Sequence, residues 1–351
     1  MTHAYDLSFC IPTYNFGAFI GATLDSILCQ ADDRIQIVIV DGGSTDDTAQ
    51  IVAEKTRQFP HIKFIQRQQR CGVDRDILES VAQADGEYCW LFSADDILEP
   101  DAVSFIRGQM RDGWDVFLTN FGLCDLHMNR LFRHEILDVE ELSTFDWNQP
   151  AERTRFLALA QSTTAFFSFI SGIVVNRASW NSVPQQTDFL GSCWIIAAQL
   201  FALSRQGLVV RYYPGELLQK RGDNDSFMAG GMIKRMGLSI NGFRDVAERF
   251  FGKGSPESLS ISRVLKNEMP FLLLNHMRLR TEDPRELAGL DALIRRQFSD
   301  GTALDRLRRS FLLMPVWSLL AMRGALRLSK SVARAVRLMK SPPDEVVAAS
   351  V

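Results

Sequence analysis

The six residues from Ile35 to Val40, IQIVIV, constrain this chain more than any other segment. Five of them are apolar and β-branched, a run with no polar side for water to face, as expected of a central strand buried on both faces of a helix-covered parallel sheet. Apolar runs LSFCIPTY before it and IKFIQR after it are separated from it by helical patterns over about 18–30 and 45–58, which is a strand–helix alternation. A helix over about 74–84, the run EYCWLFSADD, a helix to about 111 and a strand VFLTNFGLCD continue it. After a polar stretch to about 150, FFSFISGIVVNRASW reads as strands and a turn, GSCWIIAAQLFALSRQG as a helix and LVVRYYPG as a strand running into KRGDNDSF. From Gly231 the pattern is mainly helical. The expected fold class is therefore α/β, a Rossmann-like, mostly parallel sheet flanked by helices over 1–230, with a helical C-terminal extension over 231–351.

Composition removes several classes of function. A formal net charge of -3 offers no general attraction to nucleic acid, so no nucleic-acid partner is expected. Six cysteines (Cys10, Cys29, Cys71, Cys89, Cys124, Cys193) stand singly, without paired spacing or nearby histidines, so neither a zinc site nor a disulfide framework is indicated. The start MTHAYDLSFCIPTYN lacks the basic and apolar regions of a secretory signal, and a cytoplasmic location is expected. The longest apolar runs, TTAFFSFISGIVV and FLLMPVWSLLAM, fall short of the roughly 20 residues that cross a bilayer.

Open parallel sheets bind ligands at the carboxyl ends of their strands, so the residues closing each run carry the functional signal. Asp41 ends one strand and leads into GGSTDDT, where Gly43 permits a tight turn and Ser44 can cap the next helix. Pro12, Thr13, Tyr14 and Asn15 occupy the matching place after the first strand. Together these two turns outline a pocket for a base and a ribose. Asp95 and Asp96 end the run EYCWLFSADD; adjacent carboxylates at a cleft raise each other's protonation cost unless a cation offsets it. Mg²⁺ or Mn²⁺ would do so while bridging to a diphosphate. The structural alternative for Asp96 is a helix cap, with the helix entered through Ile97, Leu98 and Pro100.

The runs FCIPTYN, VIVDGGSTDDT and GEYCWLFSADDILEP, in this order and spacing, resemble family 2 glycosyltransferases over roughly residues 6–110. The resemblance implies a GT-A fold, with a donor-binding half over about 1–110 and an acceptor half over about 111–230. It implies that Pro12 to Asn15 and Asp41 contact the nucleoside of a nucleotide-diphosphate sugar. The family's Asp-x-Asp motif falls on Ser93, Ala94 and Asp95, so only the metal-side carboxylate is kept, and a serine hydroxyl faces the ribose. GVDRDIL and RGDNDSF are similar to a narrower group, the abequosyltransferases and related dideoxysugar transferases of bacterial surface-polysaccharide assembly. That likeness implies that Asp74 and Arg75 face the donor sugar or diphosphate, and that Arg221, Asp223 and Asn224 lie on a loop closing over it. Where the family opens its acceptor-side helix with an acidic pair, this chain has TDFLGSCWII, leaving Asp188 as the nearest carboxylate to serve as catalytic base.

From Gly301 to Lys340 there are nine Lys or Arg against one acid. Arg323, Arg327, Lys330, Arg334 and Arg337 recur at helical steps opposite Leu328, Val332, Ala335 and Met339, so the tail over about 303–340 reads as a basic amphipathic helix suited to an anionic membrane surface. The combined expectation is a metal-dependent, peripheral transferase on the inner face of the cytoplasmic membrane. It would move a sugar, with deoxy and dideoxyhexoses among the candidate classes, onto a lipid-linked glycan in lipopolysaccharide or O-antigen synthesis. A catalytically inactive sugar-nucleotide-binding homologue is the first alternative and a nucleotidyltransferase the second.

Overall fold

Strand β1 (Tyr5–Thr13) is flanked by two parallel neighbours, and the site follows from that arrangement. In the computed structural model, which describes residues 4–321, the chain passes from β1 through α1 (Gly17–Leu28) to β2 (Ile35–Asp41), α2 (Thr48–Gln58) and β3 (Ile62–Gln66). It then returns across β1 by α3 (Val73–Ala82) to β4 (Gly86–Leu91). The order β3–β2–β1–β4 is parallel throughout. Because the chain leaves β1 to one side and later adds β4 on the other, a crevice opens at the carboxyl ends of β1 and β4, where such sheets bind ligands.

Beyond β4 come β5 (Ile97–Leu98), α4 (Ala102–Gln109), β6 (Val116–Cys124), β7 (Arg130–His134), β8 (Ser143–Asp146), α5 (Pro150–Leu159), β9 (Ile173–Asn176), α6 (Arg177–Asn181), α7 (Ile195–Leu203) and β10 (Val209–Lys220). The sheet continues β4–β9–β6–β10–β5, with β9 antiparallel to both neighbours and β10 parallel to β6. The short strands β7 and β8 pair antiparallel with β6 and β10 respectively.

Burial explains the main runs. Every residue of β2 is buried, including Gln36, whose Oε1 accepts from Ser8 Oγ at 2.7 Å and Asp85 N at 2.8 Å while its Nε2 donates to Asp85 at 2.9 Å. A satisfied amide is tolerated in such a strand. Pro12, inside β1, is tolerated for a positional reason. Thr13 O turns toward β2, accepting from Gly42 N at 2.8 Å, so the nitrogen of Pro12 points toward β4, whose ladder with β1 has ended at Cys10 and Leu91. Phe9 stacks on Trp90 with centroids 5.3 Å apart in the core between sheet and helices.

Three local expectations change. TTAFFSFISG forms two short 3₁₀ turns, Thr163–Phe166 and Ile170–Gly172, and only Ile173–Asn176 is strand, because Phe166 and Phe167 are buried from a turn. GSCW is a turn, and α7 starts at Ile195. No helix follows Asp96 directly: Ile97 and Leu98 pair with Gln219 and Leu218, and α4 is entered at Asp101.

Residues through Glu268 form one compact unit and those from Met269 a second, so α8 (Met232–Phe251) and α9 (Pro256–Glu268) belong with the sheet and the boundary lies past 230. Trp194 holds α8 to α7: its ring lies 4.1 Å from Phe243, and its indole N–H donates to Leu238 O at 2.8 Å. In the second unit, α10 (Phe271–Arg280), α11 (Pro284–Gln297) and α12 (Ala303–Leu312) bury Leu274, Leu290, Ile294 and Leu312. The stripe from Arg323 to Arg337 lies outside the described residues. Among the described residues no helix is long and apolar enough to cross a membrane.

Candidate functional site

At the crevice, the two turns read from the sequence are knitted to one another. Thr13 and Asp41 are register partners on the last rung of β1 and β2. Asp41 is fully buried; its Oδ1 accepts from Ser44 N at 2.9 Å and Ser44 Oγ at 2.6 Å, and its Oδ2 has no partner. Asn15, held at φ 57°, donates its N–H to Ser44 Oγ at 2.8 Å and accepts from Thr45 N at 2.8 Å through its side chain. Gly43 needs its φ of 88°, and a Cβ there would press within 3.2 Å of Arg67 O. Tyr14 lies under the Arg70 guanidinium, 4.2 Å from its ring centroid. The result is a pre-formed corner with an aromatic wall, a nearby cation and one buried carboxylate oxygen awaiting a donor, which suits an N–H or ribose O–H.

Asp95 and Asp96 divide the second corner. Asp95 accepts from the Ser93 hydroxyl and from the Asn224 side-chain amide. Asp96 is buried deeper: Oδ2 accepts from Ser171 Oγ at 2.5 Å and Oδ1 from Arg221 N at 3.0 Å, so it anchors a loop and caps no helix. Burial, and then the adjacent Asp95 charge, push its carboxyl up to about 7. The Arg221 guanidinium is itself buried and donates to Asp95 O at 3.0 Å and Leu126 O at 2.6 Å. Arg221 thus ties β10 to the acidic turn, while Asn224 reaches the Asp95 carboxylate and Asp223 stands exposed at φ 60°. Ala94, next to Ser93 and Asp95 in the chain, is buried.

Three side chains that sequence reading did not single out complete the site. Arg67 pairs with Asp76 at 2.9 Å and with Glu79, and Asp76 lies so close to Gly42 that a Cβ there would sit 3.0 Å from its Oδ2. Asp76 is buried and held above the usual carboxylate range by desolvation, which the Arg67 charge opposes. Only the acidic spacing in GVDRDIL hinted at it; Arg67 and Ser171 carry no local signal, being brought in by β3 and by the turn before β9.

The remaining expected residues separate. Arg75 is exposed on the first turn of α3. Asp74 is buried and turns to the start of α7, accepting from Gly191 N at 2.7 Å and Cys193 N at 3.0 Å. Asp188 is exposed on the 3₁₀ turn Thr187–Phe189.

For a divalent cation, the donor set at the acidic turn is all oxygen: the Asp95 carboxylate, the Ser93 hydroxyl and the Asn224 amide oxygen after rotation. That chemistry fits a hard ion such as Mg²⁺ or Mn²⁺. Among the described residues no group of three acidic, histidine or cysteine side chains converges, so the diphosphate would supply the other ligands. Asp96, with both oxygens engaged, is less available than Asp95.

Residues 8–174 match the model for glycosyl transferase family 2. The abequosyltransferase RfbV of Salmonella typhimurium is 28% identical over 274 residues, covering 76% of this chain and 81% of that protein. Chondroitin synthase of Escherichia coli is 33% identical over 105 residues, covering 30% of this chain and 15% of that protein. Among solved structures, S. aureus TarS in complex with UDP-GlcNAc superposes with a TM-score of 0.63 at 16% identity, over 90% of this chain and 92% of that one. A mannosyltransferase from Pyrobaculum calidifontis, in complex with GDP-Man and Mn²⁺, gives 0.52 at 18% identity, over 93% of this chain and 81% of that one. The fold is of the GT-A type.

Proposed function

We propose that this chain, a glycosyltransferase of family 2, transfers a deoxy or dideoxyhexose from a nucleoside diphosphate to a hydroxyl of a lipid-linked glycan in bacterial surface-polysaccharide assembly. The single observation that carries the reading is the buried, unpaired Oδ2 of Asp41 beside Thr13, on the same crevice as Asp95. Asp41 and Ser44 hold the nucleoside, with Pro12 to Asn15 and Gly43 shaping the corner. Asp95, with Ser93 and Asn224, would hold a divalent ion, and such an ion would supply positive charge to stabilise the leaving diphosphate. The abequosyltransferase likeness spans most of both chains, which supports the dideoxysugar class.

Peripheral binding to an anionic inner leaflet rests on the basic tail read from the sequence and on the second unit. There Leu304 and Leu307, one helical step apart on α12, are exposed, as are Trp317 and Leu320, with Arg306 exposed alongside. Exposed apolar and basic side chains of this kind suit a headgroup layer.

The test offers the purified protein UDP-, CDP-, dTDP- and GDP-hexoses with Mn²⁺ and an undecaprenyl-diphosphate-linked glycan, and measures sugar entering the organic phase. Transfer from one donor class, lost without Mn²⁺, is expected. Donor binding with no transfer to lipid or water by any of them would return the chain to a sugar-nucleotide-binding role.

A further inference from the structure

A lysine without an acid partner ends β10. Lys220 is half-buried, yet among the described residues it makes no hydrogen bond and no ion pair. Its ammonium rests over the Phe169 ring, 5.2 Å from the centroid. An ammonium drawn half out of water ordinarily finds a carboxylate, and a ring face alone is a weak substitute.

Both supports of this lysine lead to the acidic turn. The next residue, Arg221, donates its backbone N–H to Asp96 at 3.0 Å. Phe169 comes two residues before Ser171, whose hydroxyl donates to Asp96 at 2.5 Å and accepts from Ser93 N at 2.9 Å. A Cβ on Gly172 would lie 3.2 Å from the Phe169 ring, so the ring folds back over the same turn. The Lys220 charge accordingly reaches Asp96, whose charged form it favours, and His134, whose charged form it opposes.

The groups around it do not supply that charge themselves. His134 stacks on Phe121 with centroids 4.6 Å apart, and its Nε2 meets the Ser162 and Thr164 hydroxyls at 3.0 and 3.1 Å. Burial, and then the Lys220 charge, push His134 down to about 4, so it is neutral at physiological pH. Arg221 is buried and commits Nε and Nη1 to the Asp95 and Leu126 carbonyls. With Asp96 held by Ser171 and Arg221, Asp95 is left to meet a metal ion, and a diphosphate at this turn gains from a second source of positive charge.

We propose that Lys220 binds the diphosphate of the sugar nucleotide directly, its ammonium leaving the Phe169 ring for the phosphate oxygens. Lysine suits this task, because a compact ammonium on a four-carbon stem turns its three N–H groups to wherever an oxyanion lies. Phe169 holds the cation partly out of water without a counter-ion that the phosphate would have to displace. As the sugar departs, negative charge grows on those oxygens and the same contact strengthens.

The inference rests on the sugar-nucleotide reading, and one titration separates the two. The nucleosides and nucleoside diphosphates of uracil, cytosine, guanine and thymine are titrated calorimetrically into the full chain in EDTA. The wild type should bind one diphosphate more tightly than its own nucleoside. Lys220→Met, which keeps an apolar stem on Phe169, should lose roughly 10- to 150-fold in diphosphate affinity while nucleoside affinity holds. Added salt should weaken diphosphate binding by the wild type far more than by the variant. Lys220→Arg should retain most of the affinity, and Lys220→Gln should repeat the loss, standing in for Lys220→Met if that variant fails to fold. An unchanged ratio of diphosphate to nucleoside affinity in the uncharged variants, or an equal loss for both ligands, would overturn the proposal. A wild type that binds a nucleoside but gains nothing from its diphosphate overturns it alone, whereas one that binds none of these ligands overturns the sugar-nucleotide reading with it.

Discussion

Thr13 and Asp41 face each other on the last rung of the β1–β2 ladder, and each ends in a buried oxygen with no hydrogen-bond partner. Unpaired buried polar atoms destabilise the free protein, and the proposed nucleoside contact would supply partners for both.

Asp41→Asn should therefore weaken nucleotide binding while the turn persists. The amide oxygen can still accept from Ser44, but an N–H₂ replaces the free acceptor. Loss of a hydrogen bond to a charged group, about 1.5–3 kcal/mol, corresponds to roughly 10- to 150-fold in Kd by isothermal calorimetry. Unchanged affinity for every nucleoside diphosphate would remove Asp41 from the binding site.

Asp95→Ala separates metal from nucleoside contacts. Thermal shifts with CDP, UDP, GDP and dTDP, with and without Mn²⁺, should show one nucleotide raising the melting temperature more when Mn²⁺ is present, and Asp95→Ala should abolish that increment alone. An increment that survives the substitution would place the metal elsewhere.

Asp96 gives the fold a pH dependence of defined sign. Its folded-state carboxyl stands at about 7, against 3.8 for the ordinary group, so folding takes up a proton between those values. Its contribution is fully present below about pH 4 and is lost as the pH rises through about 7. At about 1.4 kcal/mol per unit, the loss is on the order of a few kcal/mol. Asp96→Asn, which retains an acceptor for Arg221 N, should flatten the slope of melting temperature over that range. A slope identical to wild type would mean that Asp96 is ionised at neutral pH.

Gly242→Ala tests the joint between α7 and α8. In an open helix interior the change would stabilise by about 1 kcal/mol. Here the added Cβ would lie 1.9 Å from Trp194 Nε1, so the Trp194 ring and its bond to Leu238 O must shift. Overpacking of about 1–3 kcal/mol exceeds the propensity gain, and chemical denaturation should show a net loss. A more stable variant would show that Trp194 moves freely.

Much of the donor half was legible because its signals are local. The IQIVIV strand, the Asp41–Gly43 turn and the SADD terminus each depend on a few consecutive residues, and the switch of strand order at β1 then brings them to one crevice. Helix boundaries fell close to those expected for the same reason, with α3 expected over about 74–84 and found at Val73–Ala82. The role of Asp96 was not legible. A carboxylate ahead of Ile97, Leu98 and Pro100 resembles a helix cap, but its donors, Ser171 and Arg221, come from distant positions in the chain.

The sequence by itself determined the parallel α/β sheet, the family and the strand ends where a sugar nucleotide is expected, because apolar periodicity and turn chemistry are written in neighbouring residues. Only the tertiary structure decided which carboxylates do what. Asp41 is left with a free oxygen, Asp96 is tied to a loop, and Asp74 is carried across from α3 to the start of α7. Those assignments depend on which donors fold against each acid and on how completely water is removed, and both are set by contacts between residues far apart in the chain.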